Sequence, residues 1–196
     1  PSVISDFKKK NAKTKIYLRV SNSKGVVEML NAGNVDIGLV EGEVTKYKLL
    51  TERLLSDELS LIVHSSHPWA KKKEVAVAEI MDESFIFREE GSGTRQVIEK
   101  YFSKRGIVPN EMKVTTILGS TEAIKEAVEN GTGVAIVSKW AIRRESRYGS
   151  IKYLKFKEGM MLRDFCLVFN KNAVTSYAAD EFLTFLRTYP FSKLLP

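Results

Sequence analysis

Apolar positions recur along this chain with two different periods. Short runs rich in β-branched and aromatic residues, each bounded by Gly, Ser, Asn or Pro, predict strands over 16–20, 35–40, 46–55, 58–64, 84–87, 113–118, 134–137, 151–156 and 164–169. Between them the spacing turns helical. Val3, Ile4 and Phe7 share one face of a helix over 2–10, and Val26, Val27, Met29 and Leu30 follow the capping cluster Ser21-Asn22-Ser23. Further helices are predicted over 75–80 and 94–105, around Ala123, Ile124, Ala127 and Val128, from Ser138 to about Arg144, and over 176–189. Gly106 caps the 94–105 helix and Pro109 bars its continuation. Ser56-Asp57 reads as a break between two strands, and Ser65-Ser66-His67-Pro68 as the first place where the chain crosses between domains.

One plan occurs twice, over 16–40 and over 84–137: a strand, a Ser/Thr-rich helix start, a helix and a second strand. Short loops make the strands of such a unit parallel with a right-handed crossover. The class is therefore α/β. Two lobes of this kind hold a ligand in the cleft that their strand ends and helix starts face.

Composition excludes more than it selects. Of 196 residues, 43% are apolar and 28% charged, which is ordinary for a soluble globular protein. No apolar run approaches the roughly 20 residues of a membrane helix, so no membrane partner is expected, and there is no signal-peptide pattern. The first residue is Pro, which reads as a fragment or processed chain. A single cysteine, Cys166, precludes an internal disulfide and fits a cytoplasmic location. It sits in an apolar run and reads as an inert buried thiol. The net charge of +7 raises nucleic-acid binding. However, Lys8–Lys10, Lys71–Lys73 and Arg143, Arg144 and Arg147 are scattered and lack interleaved aromatics, so they read as solvated faces.

The chemistry concentrates at residues 88–97. Strand 84–87 runs through Gly91-Ser92-Gly93 into a helix, leaving first-turn N–H groups unpaired at the positive end of the helix dipole. Ser92 and Thr94 add hydroxyls and Arg95 a forked cation. This suits a small anion or carboxylate; the alternative is a glycine turn with a capped helix start. Catalysis finds less support. The chain has no Gly-x-Ser-x-Gly elbow, and the glycine loop lacks the Gly-Lys-Ser/Thr of a phosphate-binding loop. His64 and His67 have no acidic cluster beside them to complete a metal set. No metal, no cofactor and no catalytic residue is therefore expected.

The order of motifs resembles the effector-binding domain of LysR-type transcriptional regulators. The resemblance rests on Pro1–Phe7, Gly33–Val40, Ser66–Ala70, Glu89–Arg95, Gly119–Lys125 and Asn130–Ala135. It implies a two-lobed, type 2 periplasmic-binding-protein-like fold, each lobe a mixed sheet flanked by helices, joined by two crossing strands. Lobe I would be 1–64 plus 165–196 and lobe II 65–164. It also implies a cytoplasmic homodimer or homotetramer, with DNA contact confined to an absent N-terminal helix-turn-helix domain. The effector site it implies comprises Ser21, Asn22 and Ser23, then Gly91, Ser92, Gly93, Thr94 and Arg95, then Ser120 and Thr121, with Glu41 and Gly42 as further lining. A small, anionic effector bound there would shift lobe closure and oligomer geometry. The competing readings are a solute-binding protein of a transporter and an enzyme on the same fold.

Overall fold

The computed structural model describes residues 2–42, 49–108, 111–170 and 176–191. Pro1, Pro109 and residues 46–48 of the expected strand 46–55 lie outside them. The elements run α1 Ser2–Lys10, α2 Ser23–Asn31, β1 Ile37–Glu41, β2 Leu50–His64, β3 Glu74–Val75, β4 Phe85–Arg88, α3 Gly93–Ser103, β5 Val114–Leu118, α4 Thr121–Glu129, β6 Val134–Ser138, α5 Arg143–Tyr148, β7 Ile151–Phe156, β8 Met161–Phe169 and α6 Tyr177–Thr188. Two 3₁₀ turns, Pro68–Lys71 and Val77–Asp82, follow β2 and β3. The second stands where the short helix over 75–80 was expected. The chain forms two units, one of residues 1–55 and 164–196, the other of residues 56–163.

In the first unit β1 pairs antiparallel with β8, from Ile37 opposite Phe169 to Glu41 opposite Phe165, and β8 neighbours β2. Val26, Val27 and Leu30 of α2 cover Val40, Cys166 and Val168 on one side. Leu183 and Leu186 of α6 cover Leu167 and Phe169 on the other. Alternate residues of β8 thus serve opposite faces, so its apolar run is continuous. Residues 16–20, expected as a strand parallel to 35–40, join no ladder. Tyr17, Leu18 and Val20 are 84%, 64% and 90% exposed, and β1 takes its partner from β8 instead. β-formers adopt a strand only where a partner edge receives them.

The second unit is built around β4, which lies between β5 and β6 and runs parallel to both. β6 pairs antiparallel with β2, and β7 pairs antiparallel with β2 and parallel with β3. Alternate positions within each strand separate into two cores. Leu59, Leu61, Phe85, Phe87, Val134 and Ile136 pack with Ile98 and Phe102 of α3, whereas Ile62, Ile86, Ala135 and Val137 pack with Ile124 and Val128 of α4. Gly133 makes the β4–β6 approach possible: a Cβ there would stand 2.2 Å from the Ser84 carbonyl oxygen, which accepts from Val134 N at 2.8 Å.

Three expectations change here. The segments 46–55 and 58–64 are not two strands: described residues 50–64 form the single strand β2, because Asp57 is buried and fully engaged rather than turned to solvent. The first crossing therefore falls inside β2, between residues 55 and 56, not after His64, since Leu59–His64 pair with β6 and β7. The second falls at 163/164. Ser138 does not cap a helix; α5 begins only at Arg143, and the Ser138 hydroxyl donates to Asp57 Oδ1 at 3.0 Å.

Candidate functional site

The helix starts of α2, α3 and α4 exist as expected, and in each the residue preceding the helix folds back onto it. Asn22 caps α2, its Oδ1 accepting from Gly25 N at 2.9 Å. Ser23 Oγ donates to the Glu41 carbonyl at 3.1 Å and accepts from Glu41 N at 3.2 Å, fixing the start of α2 to the end of β1. Ser21 is exposed. Gly25 leaves room for it, since a Cβ there would meet the Ser21 Oγ at 2.2 Å. Gly42, beside Glu41, has a φ of 81° and its N–H donates to the Asp164 carbonyl.

In the second unit, Gly91 adopts a φ of 84°, a left-handed turn that favours glycine. Ser92 caps α3 by accepting from Arg95 N at 3.4 Å. Ser92 and Thr94 are 1% and 4% exposed. Ser120 caps α4, accepting from Ala123 N at 3.1 Å. First-turn N–H groups of α3 and α4 have no acceptor inside their own helices, which gives both starts a donor character.

The arginines divide the labour differently from the expectation. Arg95 Nε donates to Glu99 Oε1 at 2.7 Å, its Nη1 donates to the Arg88 carbonyl at 3.2 Å, and its guanidinium lies 4.7 Å above the Phe87 ring. Its charge is shared with a carboxylate one turn along its own helix. Arg88, which the sequence did not single out, joins the two patches of this unit: its Nη1 donates to Thr121 Oγ1 at 3.3 Å and its other nitrogens pair with Glu89.

A second arginine was also missed. Arg163, at the end of the second unit on β8, places Nε and Nη2 2.8 and 2.7 Å from Asp57 Oδ2, and donates from Nη1 to Thr94 Oγ1 at 2.7 Å. The side chains of Arg163 and Asp57 are 4% and 0% exposed. One signal was available in sequence. In the alternation of β8, Leu162 points outward and Arg163 inward, and an inward arginine requires a carboxylate.

A groove of about 740 Å³ opens beside α4 and α5, lined among others by Lys125, Trp140, Arg143, Arg144, Glu145 and Tyr148. Lys125 donates to Glu145 Oε1 at 2.9 Å and contacts Glu122 Oε2 at 2.7 Å. Burial works to lower the Lys125 pKa, but the bonds to Glu122 and Glu145 outweigh it and hold the ammonium above its usual value. His67 Nδ1 accepts from Trp69 N at 3.1 Å, and His64 Nδ1 lies 2.6 Å from Ser66 Oγ. Among the described residues, no group of three or more His, Cys, Asp or Glu side chains could hold a metal ion. No described helix is long and apolar enough to cross a membrane.

The family described as LysR substrate binding domain matches residues 1–190. The HTH-type transcriptional regulator CysL of Bacillus subtilis is 26% identical over 195 residues, covering 100% of this chain and 64% of that protein. The RuBisCO operon transcriptional regulator of Allochromatium vinosum is 30% identical over 187 residues, covering 95% of this chain and 61% of that protein. The chain thus spans less than two thirds of the length of these relatives. The Synechocystis PCC6803 CcmR regulatory domain, solved in complex with 2-PG, superposes with a TM-score of 0.86 at 26% identity, over 95% of this chain and 88% of that one. The effector-binding domain of QuiR, solved with shikimate, shares the fold, with a TM-score of 0.85 at 23% identity over 96% of this chain and 88% of that one.

Proposed function

Because the chain belongs to the LysR substrate binding domain family and has the α/β fold of LysR regulatory domains, we propose that it senses a small anionic effector for a DNA-binding transcriptional regulator. The observation that carries this reading is the start of α3. There a glycine turn, a capped helix N-terminus and the Thr94 hydroxyl gather donors where the positive end of the helix dipole lies. Ser120 and Thr121 extend that patch through Arg88, and Ser21, Asn22 and Ser23 form the corresponding patch of the first unit. The net charge of +7 adds a long-range attraction for anions.

Regulation, rather than transport or turnover, is favoured by the relatives, which carry the names of transcriptional regulators. The protein acts in the cytoplasm as a homodimer or homotetramer, and DNA is bound by a helix-turn-helix domain N-terminal to this region. The effector works by population shift: it stabilises the conformation it binds better, by no more than the difference in its two affinities.

Thermal denaturation against a panel tests the ligand class. Sulfate, phosphate, 2-PG, shikimate and small carboxylates are added singly to the purified chain. An anion that binds at α3 raises the Tm by roughly 5–10 °C at a hundred times its Kd. A panel in which no anion shifts the Tm contradicts the proposal.

A further inference from the structure

We propose that the groove beside α4 and α5 is a second ligand site and takes a nucleoside phosphate: the arginines of α5 hold the phosphate, and Trp140 and Tyr148 stack on the base. The proposal concerns the second unit alone and stands without the effector reading above.

Charge at the groove divides into a neutralised part and an available one. Lys125 of α4 is buried; it donates to the Ala141 carbonyl at 3.0 Å and to Glu145 Oε1 at 2.9 Å, and contacts Glu122 Oε2 at 2.7 Å. Two carboxylates meet its charge, and its work is to tie α4 to α5. The Ser150 hydroxyl, just past α5, adds a second tie by donating to Glu129 at the end of α4. The walls are fixed before a ligand arrives, which lowers the entropic cost of binding. Arg143, Arg144 and Arg147 are exposed. Among the described residues Arg143 and Arg147 make no hydrogen bond or ion pair, whereas Arg88, Arg95, Arg105 and Arg163 of the same unit are all engaged.

These arginines lack an interleaved aromatic in the sequence, but the fold supplies two. On α5, Tyr148 stands four positions after Arg144, on the face that Arg143 and Arg147 flank, and Trp140 lines the same groove. Tyr148 is 84% exposed. An aromatic face among forked cations suits a flat ring that carries an oxyanion: the ring stacks, and the guanidinium forks take the phosphate oxygens in pairs. Four cations against two carboxylates line the groove, which favours a dianion. Its volume of about 740 Å³ lies within the roughly 300–1,000 Å³ of small-molecule sites. An inorganic anion alone would leave most of it empty.

Calorimetric titration of the purified chain with adenosine monophosphate tests this, beside adenosine, inorganic phosphate and a short oligothymidylate. Adenosine monophosphate is expected to bind, and adenosine and phosphate each to bind about tenfold more weakly or worse, since each keeps only part of the contacts. The double variant Arg143→Gln/Arg147→Gln and, separately, Tyr148→Ala are expected to weaken binding of adenosine monophosphate about tenfold. Both keep the wild-type Tm, because these side chains are exposed and hold no other part of the fold. No binding by the wild type, wild-type affinity in either groove variant, or phosphate binding as tightly as adenosine monophosphate overturns the proposal. An oligothymidylate that binds about tenfold more tightly than adenosine monophosphate overturns it in favour of a nucleic-acid surface.

Discussion

Arg163→Met lowers stability by about 3–5 kcal/mol at neutral pH and the Tm by roughly 6–20 °C. The expectation follows from what is left behind. Asp57 is fully buried, and its Oδ2 depends on Arg163 for two donors. Without them a buried carboxylate keeps Ser138 but loses its counter-charge, and the desolvation of an unpaired ion exceeds the modest net value of the pair. The same reasoning predicts that Asp57→Leu combined with Arg163→Met recovers most of the loss, because removing both charges leaves neither uncompensated. Urea denaturation followed by circular dichroism compares the three variants. A cost below about 1 kcal/mol for Arg163→Met would mean that Asp57 is reached by water and behaves as a surface pair.

Phe85→Ala costs about 3–5 kcal/mol. Phe85 opens the strand that carries the glycine loop; it is 0% exposed and its ring lies 5.3 Å from that of Phe87 at 74°, an edge-to-face arrangement. It is held between Val114 on β5 and Val134 on β6 in the ladders on either side. Little can collapse into the space it leaves, since the central strand is fixed on both edges. Tyr17→Ala provides the contrast: an equally aromatic residue at 84% exposure, whose loss stays within about 0.5 kcal/mol. Denaturant midpoints of the two variants give the comparison directly.

Those two aromatic residues also mark what could be read from sequence. Most caps were legible because their partners are near in the chain: Asn22, Ser92 and Ser120 each accept from an N–H three residues on, whereas the cap expected at Ser138 is not one. The two-faced strands were legible because their continuous apolar runs match burial on both sides. The destination of Arg95 was within reach, since Glu99 stands at i+4 on the same helix. The continuity of β2 was not. Asp57 reads as a turn residue until its partner is known, and that partner lies 106 positions away. Residues 16–20 failed for a related reason, since strand propensity says nothing about which edge is available. The Asp57–Arg163–Thr94 chain lies wholly in such distant pairings, so the candidate site was legible as a set of helix starts and not as a network.

Anion binding at the α3 start is read most directly from an amide ¹H–¹⁵N correlation spectrum of the labelled chain titrated with 2-PG. Saturable shifts are expected at Gly91, Gly93, Thr94 and Arg95, with further shifts at Ser120, Thr121 and Ser21–Ser23. Shifts confined to the α4–α5 groove, at residues such as Trp140, Arg144 and Tyr148, with the α3 start unmoved, would contradict it.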